Sequence, residues 1–119
     1  MTTKEIMEQS VRFLDSKKAE DICALDIHKV TSLGDYFVIA SGTSTTQVRT
    51  LADGLEEHFS KQGLEPLRVE GGSSAMWVLI DYGDVIVHVF YSEQRDFYCL
   101  ERLWADAPKV DISGLLQQS

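Results

Sequence analysis

Cysteine is almost absent from this chain of 119 residues. Cys23 and Cys99 are too few and too far apart for a disulfide framework or a zinc site. Both sit in apolar patterns, so buried free thiols and a reducing compartment are expected. Long hydrophobic runs are missing as well. No segment approaches the roughly 18 to 20 apolar residues that span a bilayer. The N-terminal stretch MTTKEIMEQSVRFLD holds acids and no apolar run, unlike a secretory signal. A cytoplasmic location and no membrane partner are expected. Positive charge is also scarce: 11 Lys and Arg stand against 19 Asp and Glu, a net charge of −8. Gripping a phosphate backbone relies on clustered Lys and Arg, so no direct hold on nucleic acid is expected. The acidity suits a basic protein partner, or solubility alone. Internal repeats and low-complexity segments are absent.

What remains is the composition of one folded domain, 44% apolar and 25% charged. Ile6, Met7, Ser10, Val11 and Leu14 recur at helical spacing and predict a helix over 3–19. DICALDIH (21–28) alternates as a half-buried strand. YFVIASG (36–42) is nearly all apolar, which predicts a central strand covered on both faces. Ser44 and Gln47 fit a capping box opening a helix over 45–62. Its stripe is Val48, Leu51, Ala52, Leu55 and Phe59, and Gly63 ends it. EPLRVEG (65–71) reads as a short strand, and 76–82 with 85–91 as a hairpin. Ser92 begins a last helix with Phe97, Leu100, Leu103 and Trp104 inward. Residues 109–119 read as a tail, ordered only if something holds it. The order predicts an α/β domain over 1–108, with a mixed five-stranded sheet and three to four helices.

The hairpin WVLIDYGDVIVHVF fixes its own register. With Gly83-Asp84 as the turn, Tyr82 pairs with Val85. Ile80 then faces Val87, Val78 faces Val89 and Met76 faces Tyr91, giving an aliphatic face. On the other face Asp81 meets Ile86, Leu79 meets His88 and Trp77 meets Phe90. Three helices cover one face of such a sheet more readily than two, so the Trp77 face is expected to be open. An exposed apolar patch of that kind marks an interface, with Trp and Phe favoured at its core.

Catalytic signals are weak by comparison. SGTST (41–45) lies between a strand and a helix, where anions bind, but it lacks the phosphate-loop patterns. Asp81 and Asp84 are close enough to suggest a Mg²⁺ pair, although the turn itself wants Asp84. His88 has no clear nucleophile beside it, and His28 and His58 look peripheral. No catalytic residue, metal site or cofactor is assigned. The alternative kept open is a nucleotide-binding or nucleotidyltransferase-type enzyme using the 41–45 turn with Asp81 and Asp84.

DICALDI, DYFVIASGTSTTQV, VEGGSSAMWVLIDYGDVIVHVF and RDFYCLERLW strongly resemble the ribosomal silencing factors, also called Iojap-like proteins. The likeness runs from about residue 4 to residue 108. It implies a nucleotidyltransferase-like fold without transferase activity. It implies binding to the large ribosomal subunit at ribosomal protein number fourteen on its intersubunit face. Occupying that site blocks joining of the small subunit and represses translation when nutrients are scarce. It also implies that a homodimer through the same face would compete with the ribosome. The residues expected to meet the partner are Trp77, Leu79, Asp81, His88 and Phe90, extended by Arg95 and Tyr98.

Overall fold

The structure, a computed structural model, describes residues 1–32, 34–71, 76–93 and 107–116. It opens with helix α1, Thr3–Ser16, which begins in a capping box. The Thr2 hydroxyl accepts from the Glu5 amide at 3.1 Å, and Glu5 accepts in return from the Thr2 amide at 3.3 Å. Ile6, Met7, Ser10, Val11 and Leu14 are its buried side, the stripe read from the sequence. The helix stops three residues sooner than that stripe suggested. Lys18 takes a left-handed conformation at φ 65°. The amide of Lys18 bonds back to Asp15 and that of Ala19 to Leu14. This is the C-terminal closure usually built on glycine, here made with a lysine, so the sequence carried no stop signal.

Strand β1 (Glu20–Asp26) pairs antiparallel with β2 (Tyr36–Gly42). Helix α2 (Thr45–Ser60) follows. The Ser44 hydroxyl accepts from the Gln47 amide at 3.0 Å, as a cap should. The Gln47 side chain reaches one residue further back than expected and accepts from the amide and hydroxyl of Thr43. Removing the hydroxyl in Ser44→Ala is expected to cost about 1 kcal/mol of stability. It should appear as a lower urea midpoint with an unchanged slope. At the other end Gly63, at φ 83°, lets Leu64 bond back to Phe59.

Three more strands complete the sheet: β3 (Arg68–Glu70), β4 (Trp77–Asp81) and β5 (Val85–Tyr91). Their spatial order is β1-β2-β5-β4-β3. β2 and β5 run parallel and every other pairing is antiparallel, so the five-stranded sheet is mixed as expected. The hairpin register agrees pair for pair, from Trp77 with Phe90 to Asp81 with Ile86. Gly83 supplies φ 91° at the turn, and Tyr82 donates to Val85 at 2.9 Å.

Two helices lie among the described residues, short of the three to four expected, and the last expected helix falls outside those residues beyond Ser92 and Glu93. α1 and α2 pack against Val78, Ile80, Val85, Val87 and Val89, the aliphatic hairpin face, and form the larger core. A second core lies on the opposite face around Leu25, Ile27, Phe37, Ile39, Ile86, Phe90 and Ala107. Part of the expected tail is held: residues 108–110 lie along the outer edge of β1, and Leu115 and Leu116 pack on the larger core. Asp26 donates to Pro108, Val110 donates to Ala24, and Ile112 is buried in the larger core. Cys23 is half-buried at the second core, and Cys99 lies outside the described residues. No helix among the described residues is long and apolar enough to cross a membrane.

Candidate protein-interaction face

Period-two alternation puts Trp77, Leu79 and Asp81 of β4 on the face away from the helices. Pairing brings Phe90, His88 and Ile86 of β5 beside them, in that order. The Trp77 ring stacks on Phe90 at 5.2 Å, and its Nε1 donates to His88 Nδ1 at 3.1 Å. The His88 ring meets Phe37 edge-on at 4.8 Å. Because Nδ1 accepts, the imidazole is neutral with its proton on Nε2. That nitrogen is buried, with no hydrogen-bond partner among the described residues. Burial pushes the His88 pKa down to about 4.

The face is not uniformly open, which corrects the expectation from helix counting. His88 is 4% and Phe90 1% exposed, whereas Trp77, Leu79 and Asp81 are half-buried. The reason lies in β2. Its apolar run needs cover on both faces, and Phe37 and Ile39 build the second core that also encloses Ile86 and Phe90. The open part is therefore the β4 and β3 margin, with His88 and Phe90 as the rigid backing under Trp77. Arg95 and Tyr98 lie outside the described residues.

Two residues that the sequence reading passed over belong to this margin. Arg68 and Glu70 of β3 pair with Asp81 and Leu79 and so share their face. Arg68 Nε donates to Asp81 at 3.2 Å, and its Nη1 donates to Glu70 at 3.3 Å. The alternation of EPLRVEG hinted at a shared face; only the β3–β4 pairing says which one. Glu70, Gly71, Trp77 and Leu79 line a shallow hollow of 120 Å³. Gly71 sits at φ 83°, and a Cβ there would fall 1.9 Å from the Trp77 carbonyl oxygen. Only glycine lets the chain pass this close to the start of β4.

The features proposed for catalysis are engaged elsewhere. The Thr43 amide in the 41–45 turn is taken by Gln47. Asp81 accepts from Arg68 and from the Gly83 amide, and Asp84 accepts from the Thr3 hydroxyl. His28 is exposed and paired with Asp26, whose carboxyl that contact holds below its ordinary range. Among the described residues no group of three or more His, Cys, Asp or Glu is placed to hold a metal ion. The arrangement presents a held aromatic with charged neighbours, which suits recognition of a protein surface.

Comparison with known proteins places the chain in a family. The sequence profile of the family described as "Ribosomal silencing factor during starvation" matches residues 1–119. The ribosomal silencing factor of Halalkalibacterium halodurans is 42% identical over 116 residues, covering 98% of this chain and 99% of that protein. A mouse protein named for mitochondrial assembly of the ribosomal large subunit is 31% identical, over 82% of this chain and 44% of its own length. A crystal structure of a Chromobacterium violaceum protein, 38% identical, superposes with a TM-score of 0.85 over 88% of each chain. A match along the whole sequence and nearly the whole fold leaves one assignment: the chain belongs to the ribosomal silencing factor family, regulators of translation.

Proposed function

We propose that this chain represses translation by docking on the large ribosomal subunit, where its bulk blocks joining of the small subunit. The contact is made to ribosomal protein number fourteen on the intersubunit face. Trp77, Leu79 and Asp81 touch that partner directly, while His88 and Phe90 hold Trp77 in place from behind. Arg95 and Tyr98 extend the patch. The observation that carries the reading is Trp77 itself: half-exposed at the sheet margin, stacked on Phe90, tied to His88 and bordered by a hollow. A preorganised aromatic loses little entropy on binding, which is why such residues dominate interfaces. The mouse relative's name points to the same subunit. The protein acts in the cytoplasm, and a homodimer through this face competes with the ribosome.

Co-sedimentation with separated subunits tests this. The chain is expected to pellet with large subunits, not with small ones, and to lower the yield of joined particles. Pelleting with neither subunit would sink the proposal. Asp81 gives a finer check. A charge at an interface rim acts mostly on the association rate. Asp81→Asn is expected to slow association roughly threefold at low salt, with the difference shrinking as salt rises. Stopped-flow mixing of labelled protein with large subunits reads both quantities.

A further inference from the structure

The helical side of the molecule carries a groove that the docking face does not use. It runs between α1 and α2, on the side of the sheet opposite Trp77. Two adjoining hollows of 620 and 230 Å³ form it, and they share Phe13, Lys17 and His58.

An aromatic platform forms the floor. The Phe13 and His58 rings lie 5.3 Å apart at 35°, and Lys17 Nζ sits 5.8 Å from the Phe13 centroid. Gly54 makes room for the ring. A Cβ there would come 2.9 Å from Phe13 Cζ. Glycine inside a helix is locally unfavourable, and the space it leaves is filled by this side chain. Arg12 and Lys17 stand exposed on one wall, and among the described residues neither has an ion-pair partner. Across from them Lys61 pairs with Glu57 at 3.3 Å. At the far end Gln9 Oε1 accepts from His58 Nε2 at 3.0 Å and from Gln62 Nε2 at 2.8 Å. In a chain of net charge −8, two cations with no ion-pair partner among the described residues, one of them over the Phe13 ring, are a local reversal.

Three kinds of anionic occupant can be weighed. An acidic peptide helix needs several apolar anchors along a groove, and Phe13 alone supplies one. An RNA strand needs many phosphate contacts, and two cations do not outweigh the repulsion of the whole chain. A single nucleotide needs one ring platform, one or two cations and a few amide groups. We propose that the α1–α2 groove binds a nucleoside polyphosphate, its base over Phe13 and His58 and its phosphates on Arg12 and Lys17.

Isothermal titration at low salt tests this, with GTP, ATP, guanosine and inorganic triphosphate as separate probes. Saturable binding of a nucleotide below about 1 mM is expected, with guanosine and inorganic triphosphate each about tenfold weaker. The exposed pair Arg12→Ala and Lys17→Ala together should weaken the nucleotide by about tenfold or more. Phe13→Leu should erase the preference for nucleotide over inorganic triphosphate. No saturation with either nucleotide overturns the proposal. So does equal binding of inorganic triphosphate, or an affinity unmoved by the Arg12 and Lys17 changes. No ribosome enters the assay, so its failure leaves the silencing function standing.

Discussion

Trp77→Ala is expected to weaken binding to the large subunit by about thirtyfold or more, the equivalent of about 2 kcal/mol. Two effects of the truncation add. The ring that enters the partner is gone, and so is the aromatic that covers Phe90 and donates to His88. The second effect acts on the free protein. It leaves His88 Nδ1 without a donor beside an Nε2 that already has no partner among the described residues. An unsatisfied buried polar group costs about 1 to 3 kcal/mol, so the variant should also melt earlier. Trp77→Phe separates the two. It retains the stack on Phe90 and loses only the indole hydrogen bond, so it should keep much of the affinity while sharing some of the lost stability. Sedimentation titrations on variants shown to be folded by circular dichroism give the answer. A folded Trp77→Ala that binds large subunits as tightly as the parent removes the sheet margin from the interface.

Acidification gives the second large effect. The folded chain holds His88 neutral down to about pH 4, whereas the group ordinarily titrates near 6.5. Above pH 6.5 the ring is neutral in both the folded and unfolded chain, and its contribution to stability is complete. Between 6.5 and 4 the unfolded chain binds a proton that the folded chain refuses, so stability falls as the pH falls. The full span corresponds to about 3 kcal/mol. Glu56 acts in the opposite sense. Burial, then the nearby Asp53 and Glu65 carboxylates, raise its pKa, so the folded chain binds that proton more readily than the unfolded one. The His88 contribution is therefore read as a difference. Urea unfolding of the parent and of His88→Gln at pH 7.5, 5.5 and 4.5 should give curves that diverge at high pH and converge as the pH drops. Parallel curves would mean that His88 does not set the acid limit. The same proton links stability to the interface, because a protonated His88 has no lone pair to accept from Trp77.

Much of this architecture is a local consequence of sequence. The buried stripes of both helices, the cap at Ser44 and the stop at Gly63 depend on residues within one or two turns. The hairpin register follows from a two-residue turn and strict alternation, so Trp77, Leu79 and Asp81 could be placed on one face before any fold was known. Features closed by distant contacts were not legible in this way. Alternation says which residues share a face and is silent on what covers it. His88 and Phe90 are buried because Phe37 and Ile39, some fifty residues away in the chain, build a second core beside them. Arg68 joins the Asp81 margin only through the pairing of β3 with β4. Pro108 and Val110 are held because β1 offers them its outer edge, and Ile112 because the larger core has room for it. Lys18 closes α1 in a conformation its side chain does not advertise. The sequence by itself determined the elements, their caps and the sharing of faces, because those depend on local dihedrals and period. Tertiary structure alone decided which part of the aromatic face stays open, because exposure is a property of everything packed around a residue.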